Sequence, residues 1–299
     1  MKTQKIVFIG QSAYFINHYI DLPRFATSFL EYTWQVTPNS VLADADDADL
    51  RICFRGEYIP TEVTNRWKAH GKTIALSTEP IPYSTEGQLL TSHDRANRFS
   101  ELLNARGRFS SLYHYDPQSV DYLKQYGFEV TGVFRLPVNL NVLKPESRKA
   151  KTWDVFLFGK ETPYRQNITN PLKHVLGSRF CHVAHGFVLE DFVRLATRAR
   201  IAINVHVDSL PATEPRLQLY AACGLMIVSE PLSDDTLWKP YENYVEASGP
   251  HDLTEKVLYY LDPAHTQERE TIAYRGQQTV HAHLDASQVW PELIRKHLA

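Results

Sequence analysis

The segment from residue 201 to residue 231 constrains the fold of this chain more than any other part of its sequence. Two short apolar runs, at 201–205 and 225–228, flank a helical pattern, and a Cys-Gly turn joins the helix to the second run. Runs of this kind predict buried parallel strands that are connected through a helix, a βαβ unit. Because ligands of such sheets bind at the carboxyl ends of the strands, we expect chemistry in the polar loop at 206–214.

The helix of this unit begins with a candidate anion site. The pattern predicts that the helix is entered at residues 214–218, which places Arg216 in its first turn. A helix N-terminus offers unpaired N–H groups and a positive dipole end, so a cation is unfavourable there unless an anion is shared with it. Arg216 therefore predicts a diphosphate site, and a surface or interdomain salt bridge is the alternative.

The rest of the chain alternates strands and helices in two series. The first series has predicted strands at 5–9, 50–54, 73–77, 111–113 and 129–135, and helices at 14–30, 62–70, 96–105 and 119–126. The second has a strand at 153–158, helices at 167–176 and 189–199, the βαβ unit, and helical segments at 252–261 and 268–298. This alternation predicts an α/β protein with two Rossmann-like domains that face each other across a cleft.

The predicted domain boundaries follow from one interruption of this pattern. Residues 137–151 carry prolines, asparagines and a charged run, which predicts a linker. We therefore predict a first domain at 1–140, a second at 141–275, and a C-terminal helical segment at 276–299 that can cross back to the first domain.

Composition and motifs exclude several classes of protein. A net charge of −2 does not suggest a dedicated polyanion binder. The three cysteines are distant from each other in the sequence and lie in apolar strand or helix segments, which predicts reduced thiols and a cytoplasmic protein. No apolar run is long enough to predict a membrane span, and neither a P-loop nor a G-x-S-x-G motif is present.

A metal site is not predicted. Asp44 and Asp46 form a D-x-D pattern, but it precedes a predicted strand, whereas a metal–nucleotide site would follow one. A solvated turn is the favoured interpretation of these carboxylates.

Polar residues at predicted strand ends of the second domain are candidates for donor binding. Lys160 and Arg165 lie in one such loop and could bind phosphate, with solvated cations as the alternative. Asn204 and His206 alternate along a strand that enters the cleft loop, where they bind ligand or orient the loop.

Two carboxylates flank that loop. Asp208 is a candidate for ribose or acceptor contacts. Glu214 is a further donor-binding candidate, although a capping role at the helix start is the favoured interpretation.

The first domain supplies the candidates for a general base. Glu79 follows a predicted strand in a rigid Pro-containing loop, at the acceptor side of the cleft, and is the first candidate. His114 occupies the equivalent position after a later strand and is the second. Asp116, in contrast, is explained by N-capping of the helix that follows it.

Four segments together resemble the GT-B glycosyltransferases, and within them the CgeB-like branch of the group 1 transferases. The segment 113–128, YHYDPQSVDYLKQYGF, resembles the family's Asp-x-x-Ser-Val-x-x-Leu helix, and 135–145, RLPVNLNVLKP, its interdomain segment. The segment 153–165, WDVFLFGKETPYR, is similar to its second-domain opening. The segment 216–231, RLQLYAACGLMIVSEP, resembles its Arg-x-Phe-Glu-Ala-x-Ala-Cys-Gly helix and strand.

This resemblance implies a metal-independent enzyme without a cofactor, which binds a nucleotide-diphosphate sugar as co-substrate in the second domain. The family's glutamate, expected to hold the donor ribose, falls on Leu219, which cannot accept a hydrogen bond. Gln218 or Glu214 could substitute for it. Retaining or inverting stereochemistry stays undecided.

We therefore predict transfer of a sugar from a nucleotide donor to an unidentified acceptor, which is a glycan, a small molecule or, less favoured, modified DNA. A non-catalytic nucleotide- or sugar-binding protein of the same fold is the first alternative. A phage-type DNA base glycosyltransferase is the second, and its candidate basic patch consists of Arg95, Arg98, Arg106 and Arg108.

Overall fold

The structure of the chain is a computed structural model. It describes residues 4–10, 28–31, 41–145, 150–184, 189–233 and 236–298. The chain forms two compact units, unit 1 with Met1–Leu136 and Ser287–Ala299, and unit 2 with Pro137–Ala286.

Unit 1 is built on a six-stranded parallel sheet. Its strands are β1 (Ile6–Gly10), β2 (Ser28–Glu31), β3 (Leu50–Phe54), β4 (Lys72–Ser77), β7 (Ser111–His114) and β8 (Val130–Val133), in the order β2-β1-β3-β4-β7-β8. A separate antiparallel hairpin joins β5 (Tyr83–Thr85) to β6 (Gln88–Leu90). The helices are α1 (Thr61–Trp67), α2 (His93–Asn104) and α3 (Pro117–Gln125). All five residues of β3 are buried, as expected for a parallel strand that is covered on both faces.

The C-terminal helix belongs to the core of unit 1. This helix, α9 (Ala286–Leu298), places the fully buried Trp290 against Phe8 and Phe134, with ring centroids 5.1 Å apart in each pair. Tyr113 on β7 also forms a hydrogen bond of 2.9 Å with Nε2 of His297. The end of the chain therefore stabilises the sheet that begins the chain.

Unit 2 is built on a five-stranded parallel sheet. Its strands are β9 (Val155–Phe158), β10 (Phe180–Val183), β11 (Ile201–Asn204), β12 (Met226–Ser229) and β13 (Val245–Glu246), in the order β10-β9-β11-β12-β13. The helices are α4 (Pro163–Leu176), α5 (Leu189–Ala196), α6 (Arg216–Ala222), α7 (Gly249–Leu261) and α8 (Thr266–His283). The strand order reverses between β9 and β11, so their carboxyl ends flank a topological switch point, where α/β sheets bind ligands.

The sequence-based element predictions were wrong at several places. Of the helix predicted at 14–30, residues 14–27 lie outside the described residues, and Ser28–Glu31 is a strand. The strands β5, β6, β10 and β13 were not predicted, because two to four residues carry too little periodicity to be recognised. Helix α4 begins earlier than predicted, since the hydroxyl of Thr162 caps it by accepting a hydrogen bond from the N–H of Arg165.

The first part of the predicted linker is a buried part of unit 2. Val138 and Leu143 are fully buried. The N–H of Val138 donates to the carbonyl oxygen of Leu284 at 2.6 Å, and the N–H of Ala286 donates to that of Val138 at 2.9 Å. The apolar residues between the prolines therefore pack, whereas a linker would leave them solvated.

Candidate functional site

A cluster of mostly buried polar side chains lies at the carboxyl edge of the unit 2 sheet, at the ends of β9, β11 and β12 and in the first turns of α4 and α6. We call this cluster the carboxyl-edge site. Its buried members are Arg165, Asn204, His206, Arg216 and Glu230, and its half-buried members are Gly159, Tyr164 and Glu214. It lies at the switch point between β9 and β11, where β9 pairs directly with β11.

Two arginines converge on one glycine in this site. A Cβ atom added to Gly159 would lie 2.7 Å from Nη1 of Arg216 and 3.1 Å from Nη1 of Arg165. Both guanidinium groups therefore lie against the position that a side chain of residue 159 would occupy. Gly159 has a φ of +136°, which favours glycine, and its carbonyl oxygen forms a 2.9 Å hydrogen bond with Nε2 of His182.

Backbone carbonyl groups orient both guanidinium groups. The carbonyl oxygen of Val205 accepts from Nε of Arg165 at 2.9 Å and from Nη2 of Arg216 at 2.8 Å. Arg165 also donates to the carbonyl oxygen of Lys160 at 2.5 Å, and Nε of Arg216 donates to Oδ1 of Asn204 at 2.6 Å. Both arginines are buried, so each is held in one geometry.

The electrostatics of the arginine pair favour an anion. Burial, followed by the positive charge of Arg216, lowers the pKa of Arg165 to about 10. The carboxylate of Glu214 lies 3.8 Å from Nη2 of Arg216, beyond hydrogen-bond distance. Two like charges that are this close and this buried are stabilised by a bound anion, and a diphosphate can accept from both guanidinium groups.

A buried carboxylate that the sequence analysis missed lies at the end of β12. Glu230 accepts from the hydroxyl of Tyr164 at 2.5 Å and from the N–H of His206 at 2.7 Å. Burial raises the pKa of Tyr164, so this hydroxyl keeps its proton. Glu230 is the second residue after the predicted strand at 225–228, and this position at a strand end was the available indication of it.

The histidine of this site is neutral and has one unused acceptor. Burial lowers the pKa of His206, and its Nε2 donates to the carbonyl oxygen of Pro231 at 2.8 Å. The proton is therefore on Nε2, and Nδ1 carries a lone pair. Among the residues that the structure describes, buried Nδ1 has no hydrogen-bond partner.

The remaining candidates of unit 2 take other positions. The capping role predicted for Glu214 was wrong, because α6 begins at Arg216 after Pro215, which leaves Glu214 outside the helix. The side chain of Lys160 is exposed, and Oδ1 of Asp208 accepts from the N–H of Leu210 within its own loop. Gln218 and Leu219 are both buried within α6, whose seven residues are all buried.

In unit 1, Glu79 and His114 are neighbours at the carboxyl ends of β4 and β7. The carboxylate of Glu79 lies between two guanidinium groups, 3.6 Å from Nη1 of Arg55 and 3.3 Å from Nη2 of Arg98. Nε2 of His114 forms a 3.1 Å hydrogen bond with the carbonyl oxygen of Glu79, and Nδ1 accepts from the N–H of Asp116. In this conformation neither ring nitrogen of His114 is available to an acceptor hydroxyl, whereas Glu79 is partly exposed.

Asp116 has the capping role predicted for it. Its carboxylate accepts from the N–H of Ser119 at 3.1 Å at the start of α3.

The four arginines of the candidate DNA-binding patch do not form a free cationic surface. Arg95 is buried, and Arg98 is paired with Glu79. Arg106 donates to the carbonyl oxygen of Tyr126, and Arg108 to those of Glu57 and Ile59. Because each guanidinium group is engaged within unit 1, this patch does not support phosphate contacts along a duplex.

One of the two D-x-D carboxylates, that of Asp46, is engaged within the protein. Asp46 accepts from Nε1 of Trp67 at 2.8 Å and pairs with Arg66. Across the described ranges, no group of three or more His, Cys, Asp and Glu side chains is arranged to hold a metal ion.

In the part of the chain that the structure describes, no helix is long and apolar enough to cross a membrane.

The chain resembles known proteins in its second half and in its whole fold. Residues 148–295 match the family described as glycosyl transferase-like. No curated protein sequence matches the chain.

Among solved structures, one similar fold is that of Anabaena HepE in complex with UDP-glucose, with 13% identity, a TM-score of 0.68, and coverage of 98% of this chain and 99% of HepE. Sucrose-phosphate synthase from Thermosynechococcus elongatus also shares 13% identity, with a TM-score of 0.66 and coverage of 98% and 99%. α,α-Trehalose 6-phosphate synthase from Burkholderia multivorans shares 8% identity, with a TM-score of 0.61 and coverage of 99% and 96%.

Proposed function

We propose that this chain is a glycosyltransferase of the GT-B fold, which transfers a sugar from a nucleoside-diphosphate donor to an acceptor hydroxyl. The observation that carries this proposal is the convergence of Arg165 and Arg216 on Gly159 at the switch point of unit 2. We assign the diphosphate of the donor to these two guanidinium groups. HepE binds UDP-glucose, which makes UDP and UDP-glucose the first ligands to test.

The proposed chemistry follows from the charge that develops on the leaving group. When the bond between the sugar and the diphosphate breaks, negative charge accumulates on the phosphate oxygens while the sugar becomes oxocarbenium-like, as in glycoside hydrolysis. Two guanidinium groups already held by backbone carbonyls stabilise this charge without reorganising. The same two positive charges support a reaction that does not need a metal ion.

We propose Glu79 as the general base, because its carboxylate is partly exposed at the carboxyl end of β4 and is oriented by Arg55 and Arg98. The geometry favours it over His114, whose ring nitrogens are both hydrogen-bonded.

The three cysteines are free, which supports the proposal of a cytoplasmic enzyme.

The donor-site assignment is tested by titrating UDP into wild type, Arg165→Met and Arg216→Met. A hydrogen bond to a charged group contributes about 1.5–3 kcal/mol, so each variant is expected to bind UDP roughly 10- to 150-fold more weakly. Arg200→Met is the matched control, since Arg200 precedes β11 at the opposite end of the sheet and pairs with Asp154 at 2.8 Å. Thermal unfolding of each variant verifies that it is folded.

UDP binding that is unchanged in both arginine variants, or lost equally in Arg200→Met, would refute the assignment. Release of UDP from UDP-glucose then distinguishes an enzyme from a non-catalytic binding protein. Glu79→Gln is expected to abolish transfer while it leaves the affinity for UDP unchanged.

A further inference from the structure

The peptide group between Val205 and His206 is held at both of its polar atoms. Its carbonyl oxygen accepts from Arg165 at 2.9 Å and from Arg216 at 2.8 Å. Its N–H donates to Oε2 of Glu230 at 2.7 Å. The plane of this peptide therefore sets where both guanidinium groups lie, and Glu230 sets the plane.

Glu230 holds a second segment of the same site. Its other oxygen accepts from the hydroxyl of Tyr164, a residue 66 positions away in the sequence and directly before Arg165. The backbone N–H of Glu230 also donates to the carbonyl oxygen of Asn204 at 3.1 Å. One carboxylate thus connects the first turn of α4 and the loop after β11 to the end of β12.

A carboxylate is unexpected on electrostatic grounds at this place. Glu230 is buried, and its negative charge acts on Arg165, so it offsets the positive charge that an anionic ligand needs. Burying a charge is also costly unless hydrogen bonds compensate for it. The two short hydrogen bonds that Glu230 accepts compensate for its burial, and they hold the segments of Tyr164 and His206 in place.

We propose that Glu230 is a positioning residue, which fixes the Val205–His206 peptide and through it the two arginines. Its effect on donor binding rests on the proposed function, whereas its effect on the arginines does not.

The sign of the change in UDP affinity separates this role from a purely electrostatic one. If only charge mattered, removing a carboxylate beside two arginines would tighten the binding of an anion. Positioning requires the opposite, so Glu230→Ala is expected to bind UDP at least tenfold more weakly. Glu230→Gln retains an oxygen that can accept from the N–H of His206 and is expected to recover most of the affinity.

Glu161→Gln is the control for charge. Glu161 is an exposed carboxylate in the loop after β9 and pairs with Lys173 at 2.7 Å. Its carboxylate also lies 3.8 Å from Nδ1 of His182, but among the described residues it accepts from no backbone N–H of the site, so its removal is expected to leave UDP binding unchanged or slightly tighter. Tighter binding by Glu230→Ala, or an equal loss in Glu161→Gln, would overturn the proposal.

A second measurement needs no nucleotide. In arginine-¹⁵N-labelled protein, the Nε–Hε signals of Arg165 and Arg216 can be assigned with Arg165→Lys and Arg216→Lys. Glu230→Ala is expected to shift or broaden both signals, while Glu161→Gln leaves them in place. Unchanged signals in folded Glu230→Ala would overturn the positioning role, even in a protein that binds UDP. If wild type binds no UDP but both signals respond to Glu230→Ala, the assignment of UDP as the donor nucleotide fails and the positioning role stands.

Discussion

Gly159→Ala is the sharpest perturbation of the proposed donor site, because one methyl group would enter the space between two guanidinium groups. The added Cβ would lie 2.7 Å from Nη1 of Arg216, closer than real Cβ contacts, and 3.1 Å from Nη1 of Arg165. Both arginines are hydrogen-bonded to the carbonyl oxygen of Val205, so neither can move without breaking contacts.

The expected magnitude has two parts. A non-glycine residue at a φ of +136° costs about 1–3 kcal/mol of strain. For a unit of roughly 150 residues, each kcal/mol lowers Tm by about 2–4 °C, so a decrease of about 2–12 °C is expected. Displacement of either guanidinium group from the diphosphate is expected to weaken UDP binding by at least about tenfold, or 1.4 kcal/mol.

Calorimetric titration of UDP and thermal unfolding together measure both parts. Gly177→Ala is the matched control, since Gly177 also lies in unit 2 with a positive φ of +52°, and an added Cβ would meet no atom within 4 Å. Both variants should lose stability, and only Gly159→Ala should lose affinity. Wild-type affinity in Gly159→Ala, or an equal loss in Gly177→Ala, would refute the assignment of the diphosphate to this arginine pair.

Three further predictions concern unit 1 and metal ions. Burial raises the pKa of Glu57 from 4.5 to about 7, so the fold loses stability as pH rises through this range. In denaturant titrations, Glu57→Gln should be up to about 3 kcal/mol more stable than wild type at pH 8 and equal to it below pH 4.5. The exposed control Glu101→Gln should show no difference from wild type at either pH. Trp290→Ala should destabilise unit 1 by about 3–5 kcal/mol in denaturant unfolding without changing the affinity of unit 2 for UDP, and exposed Tyr274→Ala should do neither. Excess EDTA should leave UDP binding and transfer unchanged, and a loss that Mg²⁺ or Mn²⁺ restores would contradict metal independence.

Local sequence patterns predicted much of the fold because they report on burial. The apolar run of β11 and that of β3 lie where the alternation predicted them, since strands covered on both faces must be apolar along their length. The strand Ser28–Glu31 was not predicted, because the helical pattern that begins at residue 14 continues into it. A segment of four residues is too short to distinguish a strand from the end of a helix.

Single candidate residues of the site could be identified in the sequence more readily than the hydrogen bonds between them. Arg216 became a candidate as a cation in the first turn of a predicted helix, and Arg165 as a cation in the loop after a predicted strand; both are buried at the carboxyl edge of the unit 2 sheet. The roles of Glu230 and Tyr164 depend on contacts between residues 66 positions apart, which no local pattern contains. His114 illustrates the same limit, because its Nε2 is occupied by the carbonyl oxygen of Glu79, which lies 35 positions away in the sequence.

The arginine pair itself depends on strand order. Neighbouring strands lie about 4.8 Å apart, so the loops after β9 and β11 are adjacent only because β9 pairs directly with β11, with β10 on its other side. If β10 lay between them, Arg165 and Arg216 would be separated by about 5 Å more, and one carbonyl group could not accept from both. The switch in strand order therefore creates the shared acceptor at Val205, and the proposed anion site depends on the topology as much as on the two arginines.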